Sequence, residues 1–367
     1  MTKLAMRRAW FQVHKWIGLI LAILIIPLSL SGAALVWYEP LDRVLDPARY
    51  AVSGDMVLAP DAYVAAARTV LAPGERIATL AVPDGHGPVV IAATVAGATP
   101  RLGPPQRMLV YLDPPTARVL VKAPGNSGIM RTVHILHGSL LVPGVGRTIV
   151  GWIGVAMAVS CFTGLWLWWP MSGRFARGLR WRRHRNTDTN LHHLFGFWVA
   201  LPLFMLSLTG AWIAFPSFFA ALVGQSGQRG GPDRAMQARA QPLATPAQSL
   251  ATVVAHASAV APGDLRSIAW PTDRTPDWTV TLARGGRSPA SVKVADDTGT
   301  AVVAPARRDG GVAQLVRRLH DGTGMGPVWQ AIIFIGGILP AILAVTGIIM
   351  WWRARRWRAA VAARRAG

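Results

Sequence analysis

Apolar and charged positions divide this chain into four long apolar stretches separated by polar segments. Each stretch runs for more than 20 residues without Asp, Glu, Lys or Arg: Trp16–Tyr38, Ile149–Trp169, Leu194–Phe219 and Val328–Trp352. A helix needs about 20 apolar residues to cross the hydrocarbon layer of a membrane. The pattern therefore predicts an integral membrane α-helical protein with four transmembrane helices.

Two long polar segments between the spans show the signals of small α+β units. Residues 60–72 and 245–261 have helical periodicity, and each is followed by short runs of strand type bounded by turn residues. The predicted strands are 77–83, 88–96, 107–113, 118–122, 266–270, 277–283, 290–295 and 300–304. Each long loop is therefore predicted to fold as one helix followed by four strands.

These elements predict an order of domains along the chain. They are the N-terminus and first span (1–38), a first α+β unit (39–147), the second span (148–170), a basic loop (171–190), the third span (191–219), a second α+β unit (220–327), the fourth span (328–352) and a basic tail (353–367). The second unit contains a predicted flexible linker at 224–242, which is rich in Gly, Gln and Ala.

The formal net charge of +21 is unevenly distributed. The N-terminus, the basic loop and the tail hold 16 of the 38 Lys and Arg but only one of the 17 acids, Asp188. Short basic segments stay on the cytoplasmic side of a membrane. We therefore expect a multi-pass protein of the bacterial inner membrane, with both termini in the cytoplasm and the long loops in the periplasm. The cations are expected to contact anionic lipid, not nucleic acid.

The two halves of the chain share a constant spacing of distinctive residues. His14 and His192 are each followed by glycine after four and after eighteen residues. With an offset of 183, the second set of matched positions is His137, Gly154, Thr163-Gly164 and Trp168-Trp169 against His320, Gly337, Thr346-Gly347 and Trp351-Trp352. This matching predicts a tandem repeat of two helices per copy, with the copies related by a pseudo-two-fold axis along the membrane normal.

Four of the nine histidines occupy matched positions near span ends. A two-fold axis would bring His14 towards His192 at the cytoplasmic face and His137 towards His320 at the outer face. A single interfacial histidine usually only keeps one ring edge in water, but four matched ones predict two facing pairs. Zinc needs three or four protein ligands, whereas haem iron needs only two axial ones. We therefore hypothesise two bis-histidine b-type haems, with these four side chains as the axial ligands of iron.

Two more histidines lie beside the matched positions. Adjacent helical residues point about 100° apart, so His192 and His193 cannot both face one iron; the repeat selects His192 and leaves His193 as a supporting residue. His134 lies one turn before His137 and stays open as the alternative outer ligand. Cys161 is the only cysteine and no C-x-x-C-H is present, which excludes disulfides and covalent c-type haem.

The motifs around these histidines resemble those of the PepSY-associated transmembrane family, which includes inner-membrane ferric-siderophore reductases. They are H-K-W-I-G (14–18), L-H-G-S-L-L-V-P-G-V-G-R (136–147), T-G-L-W-L-W-W-P (163–170), L-H-H-L-F-G-F-W (191–198) and T-G-I-I-M-W-W (346–352). The resemblance covers nearly the whole chain and implies that both long loops are periplasmic PepSY-like units.

The resemblance also implies an oxidoreductase that passes electrons through two haems to a ferric siderophore or another ferric chelate in the periplasm. In that family the positions of His14, His137, His192 and His320 match the haem ligands. The chain has no Rossmann-type G-x-G-x-x-G after a strand. With no flavin or NAD site in this chain, the electrons would come from a cytoplasmic partner or from membrane quinol.

Two other functions remain open from the sequence. Paired PepSY-like units would also suit a non-enzymatic module that binds or inhibits a periplasmic peptidase, with the spans as an anchor; replacing the matched histidines would then have no effect. Internal repeats also occur in transporters. Coupled transport normally uses ionisable residues at mid-membrane, and the four apolar stretches contain no carboxylate.

Overall fold

Four long apolar helices dominate the computed structural model, which describes residues 2–95, 107–169, 184–224, 240–285, 287–305 and 311–366. They are α1 (Lys3–Val36), α5 (Gly146–Trp168), α6 (Thr187–Ala214) and α10 (Pro327–Ala366). All four are long and apolar enough to cross a membrane. The chain is a membrane α-helical protein, as the sequence predicts.

Several helix ends differ from the predicted spans: α1 begins at Lys3 and α6 at Thr187, both before the predicted starts. The apolar run after His192 continues to Phe219, but α6 ends at Ala214 because Pro216 has no amide hydrogen to continue its ladder. A separate short helix, α7 (Pro216–Leu222), follows. At the other end of the chain, α10 does not stop at Trp352 but continues through the basic tail to Ala366.

Three further short helices, which the sequence did not predict, lie outside the spans. They are α2 (Tyr38–Leu45), α4 (Ile129–Ser139) and α9 (Val312–Asp321). Helix α4 precedes α5, and α9 precedes α10, so the two stand at equivalent places in the two halves of the chain. Each carries one of the matched histidines, His137 or His320.

Where the spans cross, their backbones lie close together at two matched glycines. A Cβ on Gly154 of α5 would lie 2.9 Å from the carbonyl oxygen of Ser207 on α6. A Cβ on Gly337 of α10 would lie 3.0 Å from the carbonyl oxygen of Ser29 on α1. Small residues permit this close contact. No hydrophobic effect drives helices together within lipid, so close packing has to stabilise their association. The second span of each half therefore packs closely against the first span of the other half.

The two long loops form a second compact unit, which comprises residues 39–131 and 227–310. Its helices are α3 (Pro60–Arg68) and α8 (Leu250–Val260). Its strands are β1 (Glu75–Ala81), β2 (Val89–Val95), β3 (Arg107–Leu112), β4 (Val119–Pro124), β5 (Asp264–Ala269), β6 (Asp277–Arg284), β7 (Arg287–Ala295) and β8 (Ala301–Val303). Most of the predicted linker 224–242 lies outside the described residues, as does most of the basic loop 171–190.

The two α+β units share one sheet, which the sequence did not reveal. All eight strands pair antiparallel in the order β4-β3-β2-β1-β5-β6-β7-β8. The junction is the β1–β5 pair, in which Leu80 lies opposite Ile268. Both residues are fully buried, together with Tyr63 of α3 and Val253 of α8. One hydrophobic core therefore serves both units.

Two buried aspartates fix the segments that precede the helices of this unit. Asp113 accepts hydrogen bonds from the backbone and hydroxyl groups of Ser53, each at 2.7 Å. Asp296 lies 183 residues later and accepts bonds from the backbone nitrogen of Ala247 at 2.8 Å and from the indole of Trp278 at 2.8 Å. Hydrogen bonds to a buried carboxylate are among the stronger ones in proteins.

We expect Asp296→Ala to destabilise the sheet locally by about 3 kcal/mol, because two backbone amides and one indole lose a charged acceptor. Hydrogen exchange of the β6 amides, followed by mass spectrometry, should accelerate at least tenfold. Asp297→Ala is the matched control, since Asp297 is exposed and bonds only the adjacent Thr298 amide among the contacts described. Equal exchange in the two variants would contradict this role of Asp296.

Candidate functional site

One pair of imidazole rings lies between two spans. His14 is in α1 and His192 is in α6, and their ring centres are 6.3 Å apart. We call them the His14 pair. The sequence predicted that these two side chains would meet, and the structure brings them together.

A second pair of rings is carried by the short helices. His137 of α4 and His320 of α9 have ring centres 6.1 Å apart. We call them the His137 pair. His137 contacts α1 near Ser31, which is 17 residues beyond His14 on that helix. At 1.5 Å per residue, the two pairs lie about 25 Å apart along the bundle.

The rings of the His14 pair are each held by a hydroxyl and a carbonyl of the second span in the same half. Nδ1 of His14 lies 3.1 Å from the hydroxyl of Thr163 and 3.1 Å from the carbonyl oxygen of Ser160. Nδ1 of His192 lies 3.0 Å from the hydroxyl of Thr346, and the ring also has a hydrogen bond with the backbone of Leu343. These partners occupy matched positions, 183 residues apart.

The rings of the His137 pair are held in the same way by the first span of each half. Nδ1 of His137 lies 2.9 Å from the carbonyl oxygen of Leu28 and 3.3 Å from the hydroxyl of Ser31. Nδ1 of His320 lies 3.0 Å from the hydroxyl of Thr209, and its backbone partner is Leu206. Again the partners are at matched positions, with an offset of 178.

These contacts fix the tautomer of the rings. The Thr163 hydroxyl donates to the carbonyl of Ser160, and the Ser31 hydroxyl donates to the carbonyl of Leu28. Thr209 and Thr346 donate to helix carbonyls in the same manner. Each hydroxyl donates its only hydrogen to a carbonyl of its own helix, so its oxygen can only accept a hydrogen bond from the imidazole. The backbone carbonyl beside each ring can also only accept. Each Nδ1 is therefore the protonated nitrogen, and Nε2 keeps its lone pair.

A glycine lies against each ring, directly after the hydroxyl residue. A Cβ on Gly32 would be 2.8 Å from Cε1 of His137, and one on Gly210 would be 3.1 Å from Cε1 of His320. Gly164 and Gly347 stand at the corresponding places beside His14 and His192, at 3.0 and 3.6 Å. A Ser/Thr-Gly dipeptide thus forms a seat for each of the four rings, in which the hydroxyl binds Nδ1 and the glycine leaves room for the ring.

The two rings outside the spans are uncharged near neutral pH. Burial lowers the pKa of His137, although its hydrogen bond with Leu28 opposes the change. Burial, together with the neighbouring His137 ring, lowers the pKa of His320 to about 4. A neutral imidazole with a protonated Nδ1 is the form that binds metals through Nε2.

The two other candidate histidines lie elsewhere. His134 is exposed on α4, and it is His137 that packs against His320. His193 packs against His184, with ring centres 4.4 Å apart, and not against His14. The structure therefore places the repeat-matched residue in each pair and the neighbouring histidine outside it.

The spacing of the rings in both pairs, 6.3 and 6.1 Å, is that expected for two imidazoles that would bind one haem iron. Two imidazoles on opposite sides of one iron, each with a metal–nitrogen bond of about 2 Å, would have ring centres about 6.2 Å apart. One turn beyond His14, a Cβ on Gly18 would meet no atom within 4 Å; the equivalent Gly196 would meet only Leu343 at 3.9 Å. This open space beside the helix backbone suits a flat macrocycle. Within the described residues, no cluster of three or more His, Cys, Asp or Glu could hold a metal ion.

The sequence did not reveal the role of the four hydroxyl residues, Ser31, Thr163, Thr209 and Thr346. The signal was present, since each directly precedes a repeat-matched glycine. Small residues in a membrane span usually permit close packing of helices. In the structure these four residues hold the rings, and other glycines, such as Gly154 and Gly337, make the close helix crossings.

The sequence model of a protein family, the PepSY-associated TM region, matches residues 11–354 of the chain. The chain belongs to this family. The match includes both histidine pairs and both long loops, so the family assignment covers the whole arrangement described above. None of the curated proteins matches the chain.

Under the haem hypothesis stated from the sequence, replacing Thr209 with Val should weaken haem binding at the His137 pair by about 10-fold, the lower end of the effect of losing a partner of a ligating imidazole. Valine keeps the shape of threonine but removes one of the two partners of Nδ1 of His320, and the backbone of Leu206 remains as the other. The measurement is a titration of haem into haem-free protein, followed by visible absorbance. Ser207→Ala is the matched control, because Ser207 is buried on the same helix. Equal affinities for both variants would contradict the seat described for His320.

Proposed function

We propose that this PepSY-associated TM protein is a di-haem transmembrane oxidoreductase that reduces the iron of a ferric siderophore or another ferric chelate. The observation that carries the proposal is the geometry of the two histidine pairs. Both have the ring spacing of bis-imidazole iron, and in all four rings the protonated Nδ1 faces a protein acceptor. Membership of the family supports it.

The chain's own residues would hold two b-type haems without a covalent bond. His14 and His192 would ligate one iron, and His137 and His320 the other. The Ser/Thr-Gly seats keep the rings oriented and raise the basicity of Nε2 through the hydrogen bond at Nδ1. Haem iron supplies reversible one-electron chemistry when bound. The apolar spans around both pairs keep water away, which tunes the potential of any iron held there.

A duplication of one two-helix ancestor accounts for the arrangement. Both pairs use seats at matched positions, and the crossings at Gly154 and Gly337 have the same partners in the opposite half. Asp113 and Asp296 add a matched pair in the α+β units. Two copies related by a two-fold axis bring equivalent residues together, so a single histidine at each level would become a pair.

The distribution of charge supports the orientation on which the proposed direction of electron flow depends. The end of the bundle with the His14 pair carries the basic segments, and short basic segments lie in the cytoplasm. On this basis both termini lie inside, in the bacterial inner membrane, and the sheet unit lies in the periplasm. A cytoplasmic donor or a quinol would then reduce iron at the His14 pair, and the ferric chelate would take electrons at the end with the His137 pair.

We expect purified protein to contain two haems per chain, each with the reduced-minus-oxidised spectrum of low-spin bis-histidine iron. His14→Ala or His192→Ala should remove one haem, and His137→Ala or His320→Ala the other, because only one imidazole of the pair would remain to hold the iron. The measurement is haem per chain from a pyridine haemochrome assay.

The chain offers matched controls for these variants. His134→Ala and His193→Ala remove neighbouring imidazoles that lie outside the pairs, and both variants should retain two haems. Wild-type protein without haem would refute the proposal. If all six variants retained two haems, the assignment of the four paired histidines as the ligands would be wrong.

In proteoliposomes, a reductant trapped inside should reduce an external, membrane-impermeant ferric chelate through the wild-type protein. Loss of either haem should reduce the rate at least a hundredfold, because the two pairs lie about 25 Å apart and neither alone spans the membrane. The measurement is the appearance of a coloured ferrous complex outside. An undiminished rate in His192→Ala would rule out a path through both pairs.

A further inference from the structure

Helix α10 continues past the membrane as a basic arm. Trp351 and Trp352 end its apolar stretch, and residues 353–366 extend it as unbroken helix. This segment, which we call the arm, contains six arginines and no acid. Its first residue, Arg353, pairs with Asp188 of α6 at 2.7 Å and also bonds the Thr189 hydroxyl. The arm is therefore fixed to the end of the bundle that holds the His14 pair.

The arginines nearest the membrane are already engaged. Arg355 lies over the ring of Trp351, and Arg356 lies over the ring of Trp352, at 5.6 and 5.9 Å from the ring centres. Such contacts are typical of side chains at the boundary between lipid tails and headgroups. Contact with the membrane surface therefore explains the positions of these two arginines.

The rest of the arm presents one distinct face. Its members follow the spacing i, i+1, i+4, i+7, i+8 and lie within about 120° around the helix: Trp357, Arg358, Val361, Arg364 and Arg365. Alanines at 359, 360, 362 and 363 occupy the other sides. Trp357 is 68% exposed, and Arg364 and Arg365 are exposed as well. Tryptophan and arginine are the side chains most enriched at the energetic centres of protein interfaces.

The length of the arm takes this face beyond the lipid. Arg364 and Arg365 lie about 18–20 Å past Trp352 at 1.5 Å per residue. The headgroup layer on one side of a bilayer is only about 5–7 Å thick. Even with the usual tilt of a spanning helix, about 20°, these arginines stand in the aqueous phase. Lipid headgroups therefore do not account for them.

We propose that this face of the arm docks the acidic surface of a soluble, one-electron carrier protein that supplies electrons to the His14 pair; this inference rests on the function proposed above. In the step it would serve, the reduced carrier would lose one electron to ferric iron held by that pair, so no bond would form or break. A cationic face steers an anionic partner and raises its rate of association. A second copy of the arm would be repelled by its own like charge.

The experiment measures binding of a probe to the full protein in nanodiscs of neutral phosphatidylcholine. The probe is an acidic flavodoxin, and the matched probe is the same flavodoxin with its surface carboxylates amidated. We expect Arg358→Gln/Arg364→Gln/Arg365→Gln to weaken binding of the acidic probe at least tenfold and to flatten its salt dependence. Arg355→Gln/Arg356→Gln should change the affinity less than twofold, and the amidated probe should not bind.

Several outcomes would overturn the inference. They are equal affinity of both probes, equal loss in the two arginine variants, abolition of binding by anionic lipid in the nanodisc, and equally tight binding of a short DNA duplex. Haem is counted in the same samples. Arm-dependent binding by a protein without haem would leave the docking surface standing and refute the proposed function, whereas haem with arm-independent binding would do the reverse.

Discussion

The hydrogen bond from Nδ1 of each paired imidazole to a helix hydroxyl or carbonyl is the interaction on which the arrangement of the spans depends. A ring nitrogen without a partner in a lipid environment costs several kcal/mol. Each ring therefore requires a specific neighbouring helix at a specific height, His14 against Thr163 and His320 against Thr209. The same bond decides which nitrogen is protonated, so helix packing and ligand chemistry are set together.

The halves of the bundle are joined by a different kind of contact. Rings are seated within one half, but the close crossings at Gly154 and Gly337 connect a span of each half to a span of the other. The two α+β units are likewise joined, through the β1–β5 pair and the common core. Neither unit has a complete core of its own, because the fully buried Leu80 and Ile268 are paired across the junction between the units. The histidine pairs exist only because the halves associate.

The sequence predicted much of this and missed what depends on long-range geometry. Charge-free stretches predicted all four spans, and alternating apolar residues with turn signals predicted every strand of the α+β unit. The constant spacing of His14, His137, His192 and His320 predicted which rings meet. The β1–β5 pairing joins residues 188 apart, such as Leu80 and Ile268, and no local pattern encodes it. The helical arm was also missed, because a run of arginines suggests a loop unless its alanine spacing is considered.

The two histidine pairs differ in how rigidly the backbone that bears them is held. The His14 pair stands on two continuous spans, so its backbone is fixed by the bundle itself. The His137 pair stands on α4 and α9, which join the spans through turns with positive φ at Leu140, Leu141 and Gly322. Such turns fix the direction of a short helix less firmly than an unbroken helical ladder does. The seats at Ser31 and Thr209 therefore carry more of the positioning than Thr163 and Thr346 do. Loss of a hydroxyl should therefore disturb the His137 pair more than the His14 pair.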